Sequence, residues 1–279
     1  MPRLNFREHS RRFADFIYVY PVVSRRSQGL SLGINLNINN ACNWRCVYCQ
    51  VEDLVRGTPT AIDLIKLEQE LDAMLEWIVS GDFIVKYVSA GLQRFNDISL
   101  SGNGEPTLST EFKSVVEIIA KLRTKYNLTE NVKTILITNG SKIDQPNILT
   151  ALAIMHQNNG EIWFKLDNVT SIGMQQINQV KLSLKGVEKR LKLAASRCKT
   201  YIQTCLFQVD HLDPSATLID EYIKFIAKVK EDIAGVLLYS TARNPALLEG
   251  QNISEVSREF LASVAARIEK LQVKVNYYV

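Results

Sequence analysis

The sequence predicts an α/β fold organised on a parallel sheet. From residue 31 onward, short apolar and β-branched runs alternate with amphipathic helical stretches. That alternation is the pattern of right-handed βαβ units. Two loops of unusual composition, at 40–50 and 101–107, directly follow predicted strands, where parallel α/β folds place their sites. No internal repeat, low-complexity tract or linker divides the chain. Residues 1–279 therefore read as one domain, with 1–30 as an N-terminal extension and 31–279 as the core.

Residues 1–30 have no helical period. Residues 16–20 are aromatic and β-branched, and Pro21 reads as the stop, leaving an edge strand or an extended arm. Residues 31–37 alternate apolar with small or polar side chains and form the first core strand. Over 61–80, Leu64, Leu67, Leu71, Met74, Leu75 and Ile78 share one helical face, and Gly81 ends it. Strand 97–101 leads to a helix for which Ser109 is the expected cap. Strand 132–138 is closed by Asn139-Gly140, and a helix over 146–157 precedes strand 161–166. A helix over 183–198 and a strand over 201–209 follow. Next come a helix over 216–231 and strand 236–239. A last helix, with Asn252 as cap and Glu255 three residues on, leads to strand 273–278. Periodicity alone does not separate a barrel from an open sheet.

Composition narrows the class. Hydrophobic residues make up 46% and charged residues 22%, a soluble globular balance, and no apolar run reaches membrane-span length. The arginines near the start are not followed by an apolar segment, so no secretory signal is read. Five cysteines, three of them clustered, argue for a reducing compartment, and a cytoplasmic location is expected. The net charge of +4 lies wholly in residues 1–56, which hold eight arginines (3, 7, 11, 12, 25, 26, 45 and 56) and four acids. Such a segment is either solvated surface or an attractor for an anionic substrate.

The cysteine cluster is the most specific feature. Cys42, Cys46 and Cys49 fall within eight residues as C-x3-C-x2-C. Thiolates converging from one short loop are what iron–sulfur clusters and structural zinc sites require. No fourth ligand is close in sequence, since His9, His156 and His211 are distant. The stretch SGNGEPT at 101–107 needs little side-chain bulk, as a loop does where backbone approaches a ligand.

Together these motifs, with Tyr48 before the last cysteine, resemble the radical S-adenosylmethionine (radical SAM) superfamily. More loosely, YPVVSRR at 20–26 and YSTARNP at 239–245 resemble a branch of small members akin to wyosine-type tRNA-modifying enzymes. The resemblance implies a partial (β/α)6 barrel. It implies a 4Fe–4S cluster on Cys42, Cys46 and Cys49, with an open iron that takes S-adenosylmethionine. Tyr48 would lie beside the adenine. Gly102, Asn103, Gly104 and Glu105 would form the cofactor loop, with Asn103 departing from the commoner Gly-Gly-Glu-Pro. A ribose contact is expected from the end of the fourth strand, where Lys165 and Asp167 are available and Asp167, able to accept from two hydroxyls, is preferred. Residues 138–140 are expected to line the cavity, and Tyr239, Thr241 and Arg243 are substrate-contact candidates. Cys198 and Cys205 read as core or surface residues rather than ligands.

By the same resemblance, an external donor of flavodoxin or ferredoxin type supplies an electron, S-adenosylmethionine is cleaved homolytically, and hydrogen is abstracted from a substrate. The lead substrate class is tRNA or another nucleotide, which would meet Arg11, Arg12, Arg25 and Arg26 through its phosphates. Alternatives are a glycyl-radical activase, a peptide-modifying enzyme, or a metal- or cluster-containing nucleic-acid-binding protein without catalysis.

Overall fold

The computed structural model describes residues 3, 4, 11, 13–128 and 130–278, so Arg7, His9 and Arg12 lie outside the described residues. Eight strands form the main sheet, in spatial order β1 (Val19–Ser24), β2 (Gly29–Ile34), β3 (Phe95–Leu100), β4 (Lys133–Thr138), β5 (Gly160–Lys165), β6 (Lys199–Cys205), β7 (Gly235–Tyr239) and β8 (Val275–Tyr278). Only the β1–β2 pair is antiparallel; the other neighbours are parallel. The sheet curls into a half-barrel, enough to bring Arg26, in the β1–β2 turn, within 4.9 Å of the Tyr239 ring on β7. This is the partial barrel that the family resemblance implies.

Alternation along the strands sorts the two faces. Leu30, Leu32, Ile34, Ile98, Leu100 and Leu136 point outward into the main core. There they meet six helices: α1 (Leu64–Ser80), α2 (Phe112–Lys125), α3 (Pro146–Gln157), α4 (Leu184–Ala195), α5 (Ala216–Val229) and α6 (Arg258–Glu269). Inside the barrel, Ile135, Trp163, Tyr201 and Leu237 make a small apolar cluster. Ser31, Asp97, Ser99, Lys165 and Gln203 line the cavity beside it. Among the described residues no helix is long and apolar enough to cross a membrane.

Four details differ from the sequence reading. Pro21 lies within β1, opposite Leu32, because β1 is an edge strand and an edge tolerates a residue without an N–H. The strand expected over 201–209 breaks at Leu206, whose N–H goes to the Tyr239 carbonyl. Phe207–Val209 then pairs antiparallel with Ile253–Glu255. Ser257, not Asn252, caps the last helix, and Ser109 does not cap α2. Short helices at Phe83–Tyr87 and Ser171–Asn178 are absent from the sequence reading because each is too brief to show a period.

One buried carboxylate ties the N-terminal arm to the barrel. Glu70 on α1 accepts the N–H groups of Ile17 at 2.9 Å, Tyr18 at 2.8 Å and Val19 at 3.2 Å. Removing it strands donors in a buried place. Glu70→Ala should lower unfolding free energy by about 2–4 kcal/mol, read by urea denaturation, and speed amide exchange at 17–19. Unchanged stability would mean that water replaces the carboxylate at no cost.

Candidate cofactor site

The cysteine loop leaves β2 through a run of asparagines. Asn40 holds a left-handed backbone (φ 55°), which asparagine tolerates better than most residues, and so turns the chain into Ala41 and Cys42. The loop's far side rests on the C-terminal end of Ser171–Asn178, where the Ile177 and Asn178 carbonyls accept from Val47 and Arg45. Cys42, Cys46 and Cys49, from the loop at the C-terminal end of β2, line one cavity of about 310 Å³ that extends down inside the curled sheet to the β1–β2 turn. Gly102, Asn103, Gly104 and Glu105 line the same cavity.

The two loops are packed into each other. A Cβ on Gly102 would sit 2.3 Å from Asn35 Oδ1, and one on Gly104 would sit 2.2 Å from the Ala41 carbonyl oxygen. The glycines are therefore required by contact with the cysteine loop, and not solely by approach to a ligand. Asn37 Nδ2 donates to the Ala41 carbonyl at 2.9 Å and to the Glu105 carbonyl at 3.3 Å. Asn103, the departure from the commoner motif, has a use here. Its backbone N–H goes to Asn35 Oδ1 at 3.0 Å, its Nδ2 to Asn40 Oδ1 at 2.7 Å, and its Oδ1 accepts from Arg11. The Glu105 carboxylate is also occupied. It accepts from the Thr107 N–H at 3.1 Å and hydroxyl at 2.5 Å, Thr138 Oγ1 at 2.6 Å and the Asn139 N–H at 2.6 Å. Burial raises this carboxyl group, and those four donors oppose the shift. Of residues 138–140, only Asn139 reaches the cavity wall.

Asp167 and Lys165 divide their roles differently from the sequence expectation. Asp167 is buried and is not on the cavity wall. Its Oδ2 accepts from the Tyr48 hydroxyl and from Asn178 Nδ2 at 2.9 Å, and its Oδ1 from the Cys205 N–H at 3.0 Å. In this arrangement it positions Tyr48. Lys165 is the residue of the pair on the wall, with Nζ 4.8 Å from the Tyr48 ring centroid and 3.0 Å from the Tyr239 hydroxyl. Burial acts to lower the Lys165 ammonium, but Asp167, Tyr239 and Cys46 outweigh it, so the group is raised and stays cationic.

The donor set fits a cluster better than a single ion. Among the described residues no three His, Cys, Asp or Glu side chains converge to hold one metal ion. Three thiols around one cavity, each free to take a different metal atom, match a multinuclear cluster. Burial pushes Cys42 up to about 11 and Cys46 up to about 12, so the protein alone keeps them as neutral thiols. The positive charge of bound iron would make them thiolates. N–H donors already face both sulfurs: the Trp44 backbone at 3.5 Å from Cys42 Sγ and Asn178 Nδ2 at 3.3 Å from Cys46 Sγ. Such donors steady cluster thiolates and tune their potential. Asn178 escaped the sequence reading; the Thr170 cap of its short helix was the available signal.

Arg11, Arg25 and Arg26 are on the cavity wall, as are Tyr239, Thr241 and Arg243. Cys198 lies in the main core, as expected. Cys205 is also buried but borders the cavity, packed with Tyr48 and Phe207.

With this geometry in place, the comparisons are consistent. Residues 36–231, well over half of the chain, match the radical SAM superfamily. The chain belongs to that superfamily, whose enzymes use a 4Fe–4S cluster and S-adenosylmethionine. Among its relatives, the UPF0026 protein slr1464 of Synechocystis is 28% identical over 168 residues, 59% of this chain and 53% of that protein. A UPF0026 protein of Helicobacter pylori strain J99 is 24% identical over 242 residues, 83% of this chain and 70% of that protein. The match thus spans about half the length of the Synechocystis relative. A solved structure of TYW1 with a lysine-pyruvate adduct bound superposes with a TM-score of 0.57 at 14% identity, covering 86% of this chain and 73% of that one, and supports the fold.

Two expected outcomes follow from this packing. Gly104→Val should lower iron content after reconstitution as well as S-adenosylmethionine affinity, because its side chain collides with Ala41 beside Cys42. Full iron content with weakened cofactor binding would return the glycine to a purely ligand-facing role. The second concerns Asp97, which burial raises to about 6. The folded state then binds a proton that the unfolded chain has released, so stability should fall as pH rises from about 4 to about 6. Asp97→Asn should flatten that slope in urea titrations across this range and be more stable at pH 7 by about 1–3 kcal/mol. A slope unchanged in the variant would assign it to other groups.

Proposed function

We propose that this protein cleaves S-adenosylmethionine reductively at a 4Fe–4S cluster and abstracts hydrogen from an anionic substrate, with tRNA or another nucleotide as the leading class. The observation that carries the reading is the interlock of the cysteine and glycine loops around one cavity. Cys42, Cys46 and Cys49 would hold the cluster, and Gly102–Glu105 would present backbone to the methionyl end of the cofactor. The bound pair supplies a carbon-centred radical oxidant. The chain's own part is orientation and exclusion of water. Asp167 fixes the Tyr48 hydroxyl, which sets the ring on the cavity wall.

Support for an anionic substrate comes from Arg11, Arg25, Arg26 and Lys165 around one cavity, together with the sequence resemblance at 20–26 and 239–245. The work is assigned to one domain, in the cytoplasm, with electrons from a flavodoxin- or ferredoxin-like donor.

Anaerobic reconstitution tests the core of the proposal. About four irons and four sulfides per chain, with methionine and 5′-deoxyadenosine released on reduction, are expected. Cys46→Ala should lose cluster absorbance and cleavage, whereas Cys198→Ala, in the outer core, should keep both. Equal loss in the two variants would overturn the ligand assignment. Mass spectrometry of small RNAs and metabolites from cells lacking the protein then addresses the substrate. An RNA nucleoside that loses its modification is the expected result; an unaltered RNA profile beside a changed metabolite would remove tRNA.

A further inference from the structure

Among the described residues, the floor of the cavity holds buried donors without acceptors and two cations without a direct carboxylate partner, Asp167 behind the wall favouring the Lys165 cation only at longer range. Arg26 reaches in from the β1–β2 turn, with its guanidinium carbon 4.9 Å from the Tyr239 ring centroid and 5.5 Å from that of Trp163. Lys165 approaches the same Tyr239 ring at 5.6 Å. Two cations thus share one aromatic ring, and among the described residues neither has a carboxylate within 4.0 Å. Asp97 also lines the cavity, but its carboxylate is engaged by Ser31 and acts on Arg26 only at longer range. Glu161, the next acid along β5, is taken by Lys133 at 2.9 Å and Lys199 at 3.1 Å. In the same floor, Trp163 Nε1 and Gln203 Nε2 are buried without an acceptor.

Unpaired charge and unanswered donors are each costly in a confined site. Together they describe a place that lacks one component, a group rich in acceptors and negatively charged. We propose that this floor is an oxyanion subsite, in which Arg26 and Lys165 take a carboxylate or phosphate group of the substrate. The inference rests on the radical SAM reading of the cavity and gives that reading a substrate class. It also revises the role of Arg26. This arginine lies inside the barrel against two rings, so it reads one group carried deep into the site, not a phosphodiester track on the surface.

The cations come from opposite parts of the chain. Arg26 belongs to the hairpin at one edge of the sheet and Lys165 to its middle. An oxyanion between them joins the edge to the barrel wall through charge-assisted bonds, which are the stronger kind. It is also placed on the wall that Tyr48 and the cysteine loop share, so a substrate anchored there extends toward the cofactor end.

The test uses cluster-loaded protein without S-adenosylmethionine and reads indole N–H resonances by nitrogen-15 NMR. Three tryptophans give three signals, assigned by single Phe substitutions. Trp77 serves as an internal reference, since its Nε1 is bonded to Asp82 Oδ1 at 3.0 Å far from the cavity. Sodium phosphate and sodium acetate are titrated against sodium chloride at matched ionic strength, up to about 100 mM, which detects a millimolar site. Trp163 should shift saturably with phosphate or acetate while Trp77 stays still, and the tighter anion names the source. Arg26→Gln and Lys165→Met should each raise the midpoint by about tenfold or more. A linear shift, an equal shift at Trp77, or unchanged midpoints in both variants overturns the subsite. Iron content and cofactor cleavage in the same samples keep the two ideas apart. If they stand while the titration fails, only the subsite falls; if no cluster forms, the reading beneath it falls instead.

Discussion

The interlock of two irregular loops is the constraint on which the site depends. Neither loop has a ladder of its own, so its backbone groups need partners from elsewhere. Asparagine side chains provide them: Asn35 and Asn37 bridge to residues 103 and 105, and Asn40 receives the amide of Asn103. The glycines let the backbones come close enough for these bonds to form. Glu105 extends the same logic to the end of β4 by accepting from Thr138 and Asn139. A carboxylate, a set of amides and two missing side chains thus hold the cysteine loop from within the chain, which is the preorganisation a reactive centre requires.

Asp167 shows how this frame reaches the aromatic wall. One buried carboxylate holds a tyrosine hydroxyl, an asparagine amide and a backbone N–H, and the asparagine also touches Cys46. Lys165, two residues earlier, keeps a positive charge near this acid without contacting it directly. Charge is therefore arranged in depth: the acid behind the wall, the ammonium on it. The acid's field favours the lysine cation, and the lysine in turn faces the space a substrate would fill.

Much of the fold was legible because helix and strand periods are long and clean in this chain. Leu64 through Ile78 mark α1, and the β-branched run before Asn139 marks β4. Local rules failed where a tertiary setting overruled them. Pro21 breaks most strands but is tolerated at an edge, and Leu206 continues the apolar pattern of β6 although the backbone turns away there. The cysteine and glycine motifs could be read as a pair, whereas their supports could not. Asn35, Asn37 and Asn178 look like ordinary polar loop residues until the fold brings distant segments together. Arg26 belonged on sequence grounds to a charged arm, and only the curl of the sheet shows that it ends inside the barrel.

Residues 163–167 hold the neighbouring functions in strict succession. Trp163 and Lys165 face inward, Phe164 and Leu166 lie in the core with the helices, and Asp167 catches Tyr48 just past the strand end. Because side chains alternate, adding or deleting one residue here would send Phe164 and Leu166 into the polar cavity and turn the lysine outward among apolar side chains. A change of length in this segment therefore disturbs both faces at once, whereas an exchange at position 163 or 165 alters the cavity alone; the loops beyond the strand ends carry no such coupling.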